Sequence, residues 1–166
     1  YDDVDTSYDS HPSFEYIDLS GGGIGENLHI DDPGEKTLTT QVYSVVRALP
    51  FQFTYYDQTF DSITVCSNGW IAFGNESWCE EPFNRPIPAV MTPPNMVAVY
   101  WDDLRTSATG DGVWVYYDHD IDVYVIQWRA TGGLNYTEAN LDFEVMILDP
   151  ATYPSLGDNG KIVFLY

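Results

Sequence analysis

Apolar and polar residues alternate with a period of two in a series of short runs along this chain, and turn-forming residues separate the runs. That alternation is typical of β-strands with one buried face, and no window shows the 3.6-residue period of an amphipathic helix. The pattern predicts strands over residues 40–47, 51–56, 62–66, 70–74, 97–101, 113–117, 123–129, 141–148 and 161–166, with a weaker one over 14–18. It therefore predicts an all-β fold, a single two-sheet antiparallel sandwich of the jelly-roll kind.

One hairpin can be registered from its turn residues. Asn68 and Gly69 form the pair most typical of a two-residue type I′ turn, in which both residues take a positive φ. Such a turn would pair Ser67 with Trp70 and would set the register of the two flanking strands.

A second hairpin surrounds residues 118–122. Treated as a five-residue loop, this segment would pair Tyr117 with Val123. Four aromatic side chains would then share one face of the sheet, namely Trp114, Tyr116, Tyr124 and Trp128. Such rings can stack against sugars or against an apolar partner, and the alternative is a second core layer beneath the loop over 75–96.

Irregular structure is expected in three segments rich in Asp, Gly and Pro, at residues 1–37, 75–96 and 149–160. Long loops in a compact β domain either carry function or pack over a sheet. The chain has no internal repeat and no low-complexity linker. We therefore expect residues 1–166 to form one extracellular domain, with the loop-rich segment 1–37 packed on it.

Charge limits the partners of this protein. The 166 residues contain six Lys and Arg against 26 Asp and Glu, which gives a formal net charge of −20. Nucleic acids and anionic membranes both require a basic surface, so we expect neither as a partner. No stretch reaches the ~20 apolar residues of a membrane span, and no membrane insertion is expected.

Two kinds of feature indicate a processed protein that is secreted or held at the cell surface. The chain begins with Tyr1 rather than Met, which is typical of a piece cut from a precursor. Asn75 and Asn135 each begin an N-x-S/T sequon, the acceptor of N-linked glycans in extracellular proteins. We therefore expect an extracellular glycoprotein.

Catalytic chemistry is not indicated. The three histidines, His11, His29 and His119, lie far apart in predicted loops, and none belongs to a nucleophile or zinc motif. Pairs of carboxylates arise by chance among 26 acidic residues, so they do not indicate a glycosidase. We expect that this protein is not an enzyme.

Calcium is the one cofactor that the acidic loops favour, because this hard cation takes about six to eight oxygen ligands from carboxylates and loop carbonyls. The candidate ligands form a pair that ends the run over 97–101 and an N-terminal group, and they are Asp102, Asp103, Asp2, Asp3 and Asp5. The alternative for the pair is that Asp103 caps a turn and that Asp102 is simply solvated.

The two cysteines, Cys66 and Cys79, enclose a short loop. In a secreted protein we expect a disulfide between them, which would stabilise the fold by about 3 kcal/mol through loop closure. A metal site is not expected from two thiols without a nearby histidine.

Several blocks resemble a β-sandwich accessory domain of large secreted bacterial proteins, which often carry peptidase domains and type IX sorting signals. More distantly, they are similar to the nidogen-type extracellular domain. The blocks are LPFQFTYY at 49–56, VCSNGWIAFG at 65–74, NRPIP at 84–88, PNMVAVYWDDL at 94–104, FEVMILDP at 143–150 and GKIVF at 160–164. Asp57 stands where the family more often has Gly, and Tyr100 stands where Phe is more usual. The resemblance implies an appended domain and a fixed strand end at Asp102.

The expected function is a non-catalytic structural or adhesive module that contacts other domains of its precursor. One alternative is a subunit that assembles with like subunits into an extracellular filament by strand addition, using the apolar strand over 162–166. A second alternative is a carbohydrate-binding module that uses the aromatic face to bind a glycan.

Overall fold

The computed structural model describes residues 13–34, 43–79, 82, 84–132 and 140–166 of the chain. These residues form nine β-strands and no helix, so none of them belongs to a helix able to cross a membrane. The strands are β1 (Glu26–Asn27), β2 (Ser44–Tyr55), β3 (Gln58–Cys66), β4 (Trp70–Phe73), β5 (Met96–Ala98), β6 (Gly112–Asp118), β7 (Val123–Thr131), β8 (Asn140–Leu148) and β9 (Ile162–Leu165).

The strands pair into two antiparallel sheets, with the orders β1-β6-β7-β8-β9 and β2-β3-β4-β5. The two sheets pack around a shared core, which confirms the predicted all-β sandwich. β2 joins two predicted strands into one, and its register shifts between Ala48 and Phe53. Pro50 lies within that shift and has no N–H to donate to a ladder. Residues 14–18 do not form the weak strand that was predicted.

Large aromatic rings fill the core between the sheets. Phe53 and Phe73 stack with ring centroids 4.6 Å apart, and Trp128 stacks on Phe143 at 5.2 Å. The indole N–H of Trp128 donates to the carbonyl oxygen of Cys66 at 2.8 Å. Because a buried indole N–H needs an acceptor, this bond joins β7 of one sheet to β3 of the other.

Each sheet also carries an apolar cluster on its outer face. Residues 13–20, called the strap below, cover the five-stranded sheet, where Leu19 is buried in a cluster with Val125. On the four-stranded sheet, Cys79 from the loop after β4 packs in a cluster with the buried Trp70. Both sheets are therefore partly covered on both faces, as strands with two apolar faces require.

The β3–β4 hairpin departs by one residue from its predicted register. Cys66, not Ser67, pairs with Trp70. A type I′ turn needs a positive φ at both Asn68 and Gly69, and only Gly69 has one, at 72°. Three residues therefore connect the strands instead of two. This one-residue slip turns the side chains of β4 to the opposite face relative to those of β3. Trp70 consequently lies outside the shared core.

The β6–β7 hairpin also departs by one residue from the prediction. Tyr117 pairs with Tyr124 rather than with Val123, which pairs with Asp118. The connection has four residues instead of five, and Asp122 turns the chain with a positive φ of 51°. Asp tolerates this left-handed conformation better than most residues, which allows the tighter turn.

Candidate functional site

The loop over 74–95 connects β4 to β5 and is anchored on the outer face of the four-stranded sheet. Cys79 is buried there in a cluster with Trp70 and Trp101. Its Sγ lies 3.4 Å from the carbonyl oxygen of Met91 and donates to it. This contact holds the two arms of the loop together.

Four large apolar side chains of this loop are exposed. Trp78, Ile87, Val90 and Met91 expose 61%, 50%, 96% and 55% of their surface, and they are called the apolar loop patch below. The indole N–H of Trp78 donates to the carboxylate of Glu76 at 2.6 Å. That bond gives the indole N–H an acceptor and orients the ring, while the rest of its apolar surface stays exposed to water. Several exposed apolar side chains on one loop make that loop a candidate interaction surface, whereas a single exposed apolar residue is ordinary.

The first sequon lies at the start of the same loop. Asn75 is exposed, and its Oδ1 accepts hydrogen bonds from the N–H and the hydroxyl of Ser77. Asn135 lies outside the described residues. Glycosylation at both positions stays a prediction.

The four aromatic residues predicted to share a binding face lie on two different faces. Tyr124 and Trp128 are buried in the shared core, whereas Trp114 and Tyr116 are half-buried on the outer face. Directly paired residues of antiparallel strands point to the same face, and Tyr124 is paired with Tyr117 instead of Tyr116. The predicted aromatic ligand-binding face is therefore wrong, and the one-residue slip in register is the reason.

Asp102 and Asp103 lie on a loop held by the tip of the β3–β4 hairpin. The carbonyl oxygen of Asn68 accepts the N–H of Asp102 at 3.3 Å, and the side chain of Asn68 accepts the N–H of Leu104 at 3.0 Å. Asp102 Oδ1 accepts the N–H of Asp103 at 2.8 Å. The hairpin tip thus fixes the backbone of the acidic pair.

No three His, Cys, Asp or Glu side chains come together as a metal-binding group among the residues that the structure describes. The N-terminal candidates Asp2, Asp3 and Asp5 lie outside those residues. Calcium binding therefore stays a prediction.

The predicted disulfide is absent from the structure. Cys66 and Cys79 belong to one buried cluster, but no bond joins their sulfurs. Burial raises the pKa of the Cys66 thiol, and thiol–disulfide exchange proceeds through the thiolate. Burial of Cys66 therefore disfavours the thiolate through which a disulfide would form.

A polar cluster that was not predicted lies between the strap and the outer face of the five-stranded sheet. Gln127 Oε1 accepts the N–H groups of Leu19 and Ser20 at 2.9 and 3.0 Å. Glu144, directly opposite Gln127 in the β7–β8 ladder, accepts the N–H of Ile17 at 3.1 Å. The available signal was one polar residue inside the apolar run of each strand, Gln127 within residues 123–128 and Glu144 within residues 143–148.

Charge around Glu144 is unbalanced. Burial raises the pKa of Glu144 to about 7, and the carboxylates of Asp142 and Asp18 reinforce the shift. Arg129 forms an ion pair with Asp142 at 2.9 Å and lies 3.8 Å from Asp18. The guanidinium is therefore engaged by these two carboxylates.

A second buried carboxyl holds the chain before β2. Asp32 accepts the hydroxyl of Ser67 at 2.6 Å and the N–H of Gly34 at 2.8 Å. Burial raises the pKa of Asp32, although both hydrogen bonds lower it. These bonds fasten the segment around Asp32 to the β3–β4 hairpin, so their role is structural.

β9 forms one edge of the five-stranded sheet, and no strand within the described part of the chain pairs with its other side. Leu148 donates its N–H to the carbonyl oxygen of Lys161, which makes these two a hydrogen-bonded pair. Bonded pairs alternate along an antiparallel ladder, so Ile162 and Phe164 turn their N–H and C=O groups to the open edge.

Comparison with known proteins identifies the family. The family model described as NIDO related matches residues 31–151, a span that includes β2 to β8. No curated protein and no solved structure matches the chain. The match agrees with the two-sheet fold and indicates an extracellular structural module. This chain belongs to the NIDO-related family, which confirms its resemblance to the nidogen-type extracellular domain.

Proposed function

We propose that this chain is a non-catalytic, adhesive module of a secreted or cell-surface bacterial protein, and that it acts through the apolar loop patch. The observation that carries the proposal is the exposure of Trp78 and Val90 on a loop anchored at Cys79. The resemblance to accessory domains of type IX-sorted, peptidase-linked proteins supports a precursor of that kind.

Apolar contact is the mode of adhesion that this protein favours. With a net charge of −20, the domain is repelled by anionic surfaces. Burial of an exposed Trp or Val side chain is favourable without an opposite charge on the partner, by roughly 25 cal/mol per Å² of apolar surface. Adhesion through the patch should therefore persist, or strengthen, in high salt, which screens the repulsion.

Sedimentation of the purified chain with washed cells of the producing bacterium tests this proposal. We expect the wild-type chain to sediment with the cells in low and high salt, and the double variant Trp78→Ser/Val90→Ser to stay in solution. The matched control is Leu156→Ser, because Leu156 is fully exposed on another loop. Equal sedimentation of the wild type and the double variant, or none by either, would reject the proposal.

A second candidate function is assembly into a filament by strand addition at β9. The observation in its favour is the open edge at Ile162 and Phe164, since unpaired backbone groups of an edge strand can pair with another chain. Phe164 is also exposed along that edge, which would give a partner strand an apolar contact.

Substitution at Phe164 separates strand addition from side-chain contact. Phe164→Pro removes an outward N–H and leaves the hydrogen-bonded pairs with β8 in place, whereas Phe164→Ala removes only the ring. Electron microscopy of negatively stained protein should then show fibres for the wild type and the Ala variant, but isolated particles for the Pro variant. Isolated wild-type particles would reject filament assembly.

A further inference from the structure

The strap is fastened to the outer face of the five-stranded sheet through its backbone. Gln127 accepts two of its N–H groups and Glu144 accepts a third. Gln127 also donates to the hydroxyl of Tyr16 at 2.6 Å. The side chain of Leu19, itself part of the strap, is fully buried against the sheet. Two side chains of the sheet, Gln127 and Glu144, therefore supply the acceptors for the strap backbone.

The carboxyl group of Glu144 has fewer hydrogen bonds than its two oxygens can accept. It is fully buried, its Oε2 accepts the N–H of Ile17, and its Oε1 has no hydrogen-bond partner among the described residues. An ionised carboxylate in that position has lost water and recovered a single hydrogen bond, which is costly. A protonated carboxyl keeps the bond to Ile17 and carries its proton on Oε1, where an uncharged O–H costs less to bury than an ionised oxygen.

The groups that face Glu144 also disfavour its negative charge. Asp142 lies on the same strand and Asp18 on the strap, and both carboxylates raise the pKa of Glu144, whereas Tyr16 of the strap is an uncharged phenol at neutral pH. Arg129 of β7 is engaged by the two aspartates. On the remaining neighbouring strand, the residue opposite Glu144 is Leu165 of β9, which has no charge.

We propose that the strap is a pH-sensitive cover, which docks firmly when Glu144 carries a proton and loosens when that proton is lost to solvent. Loosening exposes the apolar cluster beneath, which includes Val125 and Met146. The proposal does not depend on the apolar loop patch, which lies on the other sheet.

The direction and size of the effect follow from linkage. The pKa of Glu144 is about 7 with the strap docked, and it returns toward its ordinary value of 4.5 when water reaches the carboxyl. A group with a raised pKa in the docked state stabilises that state at low pH and loses this contribution as pH rises. Between pH 4.5 and 7 the docking equilibrium should weaken by up to about 300-fold, with no further change above that range.

Amide hydrogen exchange of the complete chain tests the cover. After correction for the intrinsic pH dependence of exchange, the protection of the Ile17, Leu19 and Ser20 amides should fall as pH rises from 4.5 to 7. In Glu144→Gln the fall should disappear, and in the exposed control Asp61→Asn it should remain. Constant protection in the wild type, or an unchanged fall in Glu144→Gln, would overturn the proposal.

A titration of the wild type keeps the proposal testable if Glu144→Gln does not fold. The carboxyl carbon of Glu144 can be followed by NMR across the same pH range. A midpoint above about 6 that coincides with the loss of strap protection supports the cover, and a midpoint below about 6 overturns it.

Discussion

Replacing Gly69 with Ala tests the close contact between the β3–β4 hairpin tip and the loop that carries Asp102. Gly69 has a φ of 72°, and a Cβ built on it would lie 2.0 Å from the carbonyl oxygen of Tyr100. The Gly69 carbonyl meanwhile accepts the N–H groups of Val99 and Tyr100 at 3.2 and 2.9 Å. The contacting atom belongs to the backbone, so it cannot rotate away as a side-chain end could.

Two costs add in this variant. The left-handed conformation costs an Ala about 1–2 kcal/mol. Relief of the clash requires a backbone shift, for which overpacking costs of about 1–3 kcal/mol are typical. We therefore expect Gly69→Ala to lower the free energy of unfolding by about 2–5 kcal/mol, measured by urea denaturation followed by tryptophan fluorescence.

Gly23→Ala is the matched control. Gly23 has a similar φ of 65°, and nothing lies within 4 Å of its built Cβ. The Gly23→Ala variant should therefore lose only the conformational part of the free energy of unfolding, about 1–2 kcal/mol. The two variants should differ by more than about 1 kcal/mol, and equal losses would refute the close approach of the hairpin tip to Tyr100.

Three further changes test the strap and the acidic loop. Gln127→Leu leaves a buried strap amide without an acceptor and should cost about 1–3 kcal/mol in urea denaturation, whereas an unchanged midpoint would contradict the described hydrogen bonds. The stability difference between wild type and Glu144→Gln should shift against the wild type by up to about 3 kcal/mol as pH rises from 4.5 to about 7, because the pKa of Glu144 is raised in the folded state. A flat difference would show that Glu144 titrates normally. If calcium binds at Asp102 and Asp103, excess chelator should lower the Tm, and the double Asn variant should abolish that shift. An unchanged Tm would exclude calcium as a structural element.

The sandwich could be predicted because its strands are long and strongly patterned. β7 and β8 each run for nine residues and are buried over most of that length, and such apolar runs with β-branched and aromatic residues are typical of strands. Register was harder to predict, because it depends on the sign of one φ. Asn68 can take either sign, and the negative one lengthens the hairpin connection by a residue. A connection that differs by one residue, longer in the β3–β4 hairpin and shorter in the β6–β7 hairpin, changes which side chains share a face.

The strap cluster could not be predicted from local sequence. Leu19 and Gln127 are 108 residues apart, and their hydrogen bond forms only when the N-terminal segment crosses two strands of the finished sheet. Gln127 and Glu144 were visible as polar residues within apolar strands, but nothing local shows what they bind. The apolar loop patch was likewise hidden, because exposure of Trp78 depends on how its loop packs around Cys79.

The partition of the full-length protein between cells and medium tests the central claim most directly. In cultures of the producing organism, immunoblots of the washed cells and of the culture medium should show wild-type protein on the cells, accessible to added protease. The Trp78→Ser/Val90→Ser variant should move to the medium, while Leu156→Ser should remain with the cells. The same distribution for all three proteins would contradict adhesion through the apolar loop patch.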